Sequence, residues 1–397
     1  MAQTASLPTA DASEAVPFWN DPTKRGLVFQ ALALLSVAGI GYYLFSNTQA
    51  NLARQNIATG FSFLERESGF EIGESLIPYS AAHSYGRALW VGVLNTLKVS
   101  FLGIVITVVL GTLVGIARLS KNWLVSKLAG GYIELFQNIP VLLQLFFWYA
   151  IFYEFLPAPR QALNPLAGVF LCNRGLLLGI PAAHPVFPWV GVAFAVACLA
   201  VWGLKRWARK RQDATGQLFP VFRVGVLSVV GLPLAVWAVG GAPTAMDVPV
   251  LQGFNFKGGV ALSPEFAALL IGLALYTAAF VAEIVRAGIQ SVIHGQTEAA
   301  MSIGLTGGQT LNLVILPQAL RVIIPPLTSQ MLNLTKNSSL AVAIGFPDFV
   351  SVANTTINQT GQAIEGIGLI MVVYLMFSLG TSVFMNWYNK KMALVER

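Results

Sequence analysis

Apolar runs long enough to cross a bilayer recur through the whole chain, at residues 27–45, 90–117, 131–156, 186–204, 221–240, 265–289, 322–345 and 367–388. Lipid offers no partner to an unbonded backbone amide, so a run of roughly 20 apolar residues crosses it as a helix. The pattern predicts an all-α, polytopic membrane protein with about eight transmembrane helices. Composition agrees: hydrophobic residues fill 55% of the 397 positions and charged residues 10%, against about 25% charged in a soluble domain. The first run follows Lys24 and Arg25, as in a secretory signal. Its 19 residues exceed the roughly 7–15 of a signal's apolar region, and it reads as a retained span.

The net charge of +7 suggests nucleic acid only until its placement is considered. With eight spans, one face collects Lys24/Arg25, Arg118, Lys121 and Lys127, the five basic residues between Lys205 and Arg211, Arg321, and Lys390/Lys391. Positive-inside bias makes that face cytoplasmic and puts both termini on it. Residues 46–89, where Glu65, Glu67, Glu71 and Glu74 offset Arg54, Arg66 and Arg87, then lie outside.

Several chemistries are excluded. Cys172 and Cys198 make neither a disulfide framework nor a thiolate metal site. Cys198 reads as a small hydrophobe within its span. His83, His184 and His294 lie in different loops with no ligand spacing, and no catalytic triad or carboxylate pair is visible. No GxxxxGK[ST] loop is present to cradle a nucleotide. A self-sufficient secondary transporter usually carries repeated halves, and no internal repeat is evident.

Polar residues inside spans are costly and mark candidate functional positions. The polar run Asn333, Thr335, Lys336, Asn337, Ser338 and Ser339 makes the span at 322–345 a candidate wall of a wet pathway, or a helix bonded to its neighbours. Thr277 joins that candidate set. Glu283 and Arg286, three apart, read as a pair on one helix face or as ligand contacts. Lys98 and Glu134 are expected to reach an interface, and Gly103, Gly111 and Gly115 to permit close helix packing.

The segment 290–321 is too polar to cross the bilayer. Residues 297–303 predict a short helix with Glu298 near its start, where the helix dipole favours negative charge. Gly304 predicts a left-handed stop, Gly307 and Gly308 extend the turn, and an apolar helical pattern resumes over 311–316 until Pro317. Together they form a compact helix–turn–helix on the cytoplasmic face.

Glu298-Ala299-Ala300, Gly304 after three further residues, and then Leu316-Pro317 resemble the EAA loop of ABC importer permeases. Val314 stands where that family usually has isoleucine. The text around it resembles the polar amino-acid branch: YTAAFVAEIVRAGIQ before the loop, and LPQALRVIIPPL and KNSSL after it. Asn95-Thr96-Leu97 and YIELFQNIPVLLQLFFWY agree, although Gln137-Asn138-Ile139-Pro140 lacks the arginine frequent before that proline.

The resemblance implies a five-helix type I ABC importer permease core in two parts, 90–156 and 263–397. A cytoplasmic tail (1–26), an extra span with an outer segment (27–89) and an insertion with two further spans (157–262) are added, as in general L-amino-acid permeases. It further implies a transport subunit, not an enzyme, in a bacterial inner membrane. Expected partners are a dimeric ATP-binding subunit, a second permease (a homologue or a second copy), a periplasmic amino-acid-binding protein and membrane lipid, with no nucleic acid. The chain needs no cofactor of its own; ATP and Mg belong to the partner ATPase. Glu298, Ala299, Ala300, Gly304 and Pro317 would serve ATPase coupling, and Thr277, Glu283, Asn333, Lys336, Ser338 and Ser339 the substrate pathway.

Overall fold

The computed structural model describes residues 19, 21–54, 59–217 and 219–392. Most of the expected tail 1–26, including Pro8 and Pro17, and the terminal Arg397 lie outside the described residues. Helices α1 (Pro22–Arg54) and α2 (Tyr85–Arg118) precede a bent pair, α3 (Trp123–Asn138) and α4 (Val141–Ala150). Strands β1 (Leu163–Leu166), β2 (Val169–Cys172), β3 (Gly175–Leu178) and β4 (Ile180–Pro181) come next. After α5 (Val186–Thr215) and α6 (Val221–Val239) come β5 (Met246–Asp247), β6 (Val250–Gln252), β7 (Asn255–Lys257) and β8 (Val260–Leu262). The chain then forms α7 (Pro264–Gln290), α8 (His294–Ser302), α9 (Gly307–Thr310), α10 (Leu316–Asn337), α11 (Phe349–Thr360) and α12 (Ala363–Met392). Among the described residues, seven helical segments are long and apolar enough to span a membrane, and the bent pair makes up to eight.

Four expectations need correction. The span at 131–156 is broken: α3 and the helix Val141–Phe155 meet at 103°. Pro140 has no N–H to continue the ladder, and it drives Ile139 to extended backbone (φ −97°, ψ 127°). The basic cluster 205–211 is not a loop but the last turns of α5, which stops only at Gly216 (φ 70°). Lys, Arg, Gln and Ala favour helix, and Arg206 lies 3.7 Å over the Trp202 ring. Hydropathy shows where lipid ends, not where the helix does. Pro317 does not stop its helix, because a π turn at Leu311–Ile315 carries α9 into α10. The longer hydrogen-bond register absorbs a residue with no donor. Finally, the Pro- and Gly-rich stretches either side of α5 and α6 hold short strands within the otherwise helical fold. β1-β2-β3-β8 form one sheet, and β4-β5 and β6-β7 form two pairs. Pairing of Leu176 with Leu262 and of Ile180 with Asp247 closes the base of the α5–α6 hairpin.

Helix α7 is the hub, packed on α2, α3, α4 and α10. Small residues let α2 approach it: a Cβ on Gly111 would stand 2.6 Å from Val281 Cβ, and one on Gly115 2.6 Å from the Ala282 carbonyl. Val99, Leu145, Phe266, Leu269, Leu273, Leu334 and Phe346 fill the core where α2, α4, α7 and α10 meet. By contrast α5 and α6 pack mainly on each other, and α1 buries no residue.

Candidate functional site

The loop between α7 and α10 is built around two caps placed back to back. Gly304 takes φ 86°, the left-handed stop expected of it. The Leu305 amide donates to the Ala300 carbonyl (3.1 Å) and the Gly304 amide to Met301 (2.9 Å), the paired bonds of a Schellman C-cap. Two residues later Thr306 starts α9 with a capping box: its hydroxyl accepts from the Gln309 amide, and the Gln309 side chain accepts from the Thr306 amide (2.9 Å). Gly307 and Gly308 therefore begin a helix instead of extending the turn. Helix α8 starts at His294, three residues earlier than expected, so Glu298 sits on its second turn and not at its start. Glu298 contacts the His294 ring (3.1 Å) instead of the helix N-terminus.

Glu298, Ala299, Gly304 and Pro317 are exposed, whereas Ala300 is buried. The same rim exposes Ile293 (77%), Met301 (56%) and Ile303 (79%). The loop is fixed to the bundle by both ends. Close behind it, Val281 and Val285 of α7 pack on Ala319 and Ile323 of α10.

The six pathway candidates lie on α7, on α10 and in the turn that follows α10. Thr277 is buried in α7 with its hydroxyl unpartnered, and buried Ser338 donates to the Thr335 carbonyl (2.7 Å). Ser339 bonds the Lys336 carbonyl (2.8 Å). Glu283 and Arg286 pair on α7 (Nε to Oε2 2.9 Å), as their spacing predicts, and Arg286 also reaches Gln290. Asn333 and Lys336, one helical turn apart on α10, are exposed, and the Lys336 ammonium has no partner among the described residues. A charge at a span's surface is tolerable where it meets a polar cavity or another chain.

Lys98 meets the outer segment of the chain itself. Its ammonium pairs with Glu74 and lies 4.3 Å over the Phe266 ring, both charges largely buried. Glu74 also accepts from Ser263 (2.8 Å), tying residues 59–84 to the start of α7. Nothing in sequence spacing brings Glu74 to Lys98. Glu134 is exposed. Asp348, which the sequence did not single out, caps α11 through the Ser351 amide (2.9 Å). Burial pushes its carboxyl up to about 7. No cluster of metal-ligating side chains exists among the described residues.

A bundle of apolar helices around α7, with a capped helix pair between α7 and α10, defines a multi-pass membrane protein. Residues 103–394 match the family described as binding-protein-dependent transport system inner membrane component, and the chain belongs to that family. It is 50% identical over 95% of its length to the general L-amino acid transport system permease protein AapQ of Rhizobium johnstonii, covering 94% of it. It is 52% identical to the putative amino-acid ABC transporter permease protein YhdX of Escherichia coli, over 95% of this chain and 96% of that one. The glutamate/glutamine/aspartate/asparagine transport system permease protein BztB of Rhodobacter capsulatus is 41% identical, over 95% and 96% respectively.

Proposed function

We propose that this permease imports L-amino acids brought by an extracytoplasmic binding protein, with a second permease subunit beside it. Separate ATPase subunits bound at 290–321 hydrolyse ATP and hold its Mg. The reading that the substrates are amino acids rests on the three relatives described above. In this arrangement α2, the α3–α4 pair, α7, α10 and α12 form the transport core, and 157–262 is added to it. The loop and both termini face the cytoplasm of a bacterial cell, in keeping with the placement of the basic residues. Asn333 and Lys336 face the route or the second permease, and Thr277, Glu283, Ser338 and Ser339 support it.

The observation that carries ATPase docking is the exposed apolar rim of Ile293, Met301 and Ile303 on a loop rigidly capped at Gly304. A short helix held between α7 and α10 passes rigid-body motion of a bound ATPase to the hub of the bundle. The test is Ile303→Asp in the assembled importer. A charge on that rim is expected to remove co-purifying ATPase subunits and uptake while the permease still inserts. If the variant keeps its ATPase subunits and transports at the normal rate, the docking site lies elsewhere.

A further inference from the structure

At the end of α7 opposite the loop, a cavity of about 620 Å³ lies between the β-layer and the helical bundle. It is within the roughly 300–1,000 Å³ of small-molecule sites. Arg174 and Glu265 both line it. Arg174 occupies the two-residue turn between β2 and β3, exposed, with no ion pair among the described residues. Glu265 stands in the first turn of α7 and is half-buried. The Tyr149 hydroxyl donates to its carboxylate (3.3 Å), and no cation neutralises it among the described residues. Asn173, next to Arg174, also lines the cavity. Phe256 and Tyr153 supply apolar wall.

We propose that this cavity is a transit site for a free α-amino acid, in which Arg174 takes the α-carboxylate and Glu265 the α-ammonium. Arginine presents its donors in a fork that matches a carboxylate. A carboxylate held by a tyrosine hydroxyl and free of any cation is a natural acceptor for an ammonium. Either charge alone would attract many ions; both in one cavity select a zwitterion. The cavity requires the strands of 157–262 as well as Tyr153, in the turn that follows α4, and the start of α7, which gives that segment a role in receiving substrate. An open site with an exposed arginine holds its ligand weakly, as a relay between a binding protein and a channel requires. The proposal rests on the amino-acid import reading, but its deciding readout is ligand protection, with uptake measured separately.

The test is ligand protection in the purified importer carrying Cys172→Ser, Cys198→Ser and a reporter cysteine at Asn255→Cys, on the cavity wall. Ala261→Cys, also on the wall, is a second reporter in case the first disturbs β7. For a dissociation constant on the order of 1 mM, L-glutamine at about 10 mM should slow maleimide modification roughly tenfold. N-acetyl-L-glutamine, which lacks the ammonium, and L-glutamine amide, which lacks the carboxylate, should protect little. Arg174→Gln and Glu265→Gln should each abolish protection, read in each variant as the ratio of its own rates with and without L-glutamine, because a charge removed beside the reporter thiol also changes its intrinsic reactivity. Equal protection by all three compounds, or protection that survives both substitutions, would overturn the proposal. So would protection by the binding protein alone, since the surface would then be a protein-docking site. Protection without uptake in vesicles would uphold the site and count against the import reading; uptake without protection at either reporter would do the reverse.

Discussion

At Gly304 the φ of 86° excludes β-branched side chains, yet nothing lies within 4 Å of where a Cβ would stand. A substitution there strains the backbone without crowding any neighbour. Gly304→Val should therefore weaken the C-cap of α8 by about 1–3 kcal/mol. Its site is the loop alone, so uptake and substrate-stimulated ATP hydrolysis in reconstituted vesicles should fall together, with insertion unchanged. Gly304→Ala should be milder; a normal rate for the valine variant would mean the loop tolerates a reshaped turn. Asp348 presents a different kind of constraint. Its carboxyl ionises near 3.8 when free and at about 7 in the fold, because burial penalises the charge. The stability from keeping it neutral is complete below the lower value and is lost as pH rises through the higher one. Wild type should lose up to about 1.4 kcal/mol per pH unit across that window relative to Asp348→Asn. Asparagine still caps α11, so parallel unfolding midpoints for the two proteins from pH 5 to 8 would refute the assignment.

Among the elements, the α2–α7 contact is the least forgiving. A side chain at Gly115 would meet the Ala282 carbonyl and Val285. Gly115→Val should lower the thermal midpoint in detergent by an amount worth roughly 1–3 kcal/mol of overpacking. Gly131→Val, on α3 with open space around it among the described residues, should be near neutral, since valine is no worse a helix former than glycine; equal losses would mean the effect is not particular to the α2–α7 contact. The glycines of α2 were legible in the sequence because a small residue at helical spacing has one plain use. The Schellman glycine was equally legible, since Gly304 follows a helix-forming run and no other residue type fits that turn well. Other features were hidden for physical reasons. The strands are two to four residues long, and β3 pairs with β8 across two intervening helices. No local period announces such pairing. Likewise a π turn replaces a break at Pro317, and a break replaces continuity at Pro140. Proline alone does not say which way a helix will resolve it. Glu74 and Lys98 meet only because residues 59–84 fold over the start of α7.

For the molecule as a whole, orientation follows from where the basic residues gather. Gln212 belongs to the exposed end of α5, just past that helix's cluster of five. With Cys172 and Cys198 replaced, Gln212→Cys should stay unmodified by an impermeant maleimide in intact cells and react once the membrane is opened. Rapid labelling of intact cells would invert the arrangement. The β4–β5 pair has a consequence for chain geometry as well. Ile180 and Asp247 are cross-strand partners, so the path departs into α5 and returns from α6 through neighbouring points. Excursions of that form are topologically silent. Two membrane passages cancel, and every later residue keeps the sidedness it would have had without them. A segment tethered in this way can be gained, lost or exchanged through evolution without turning the rest of the protein inside out.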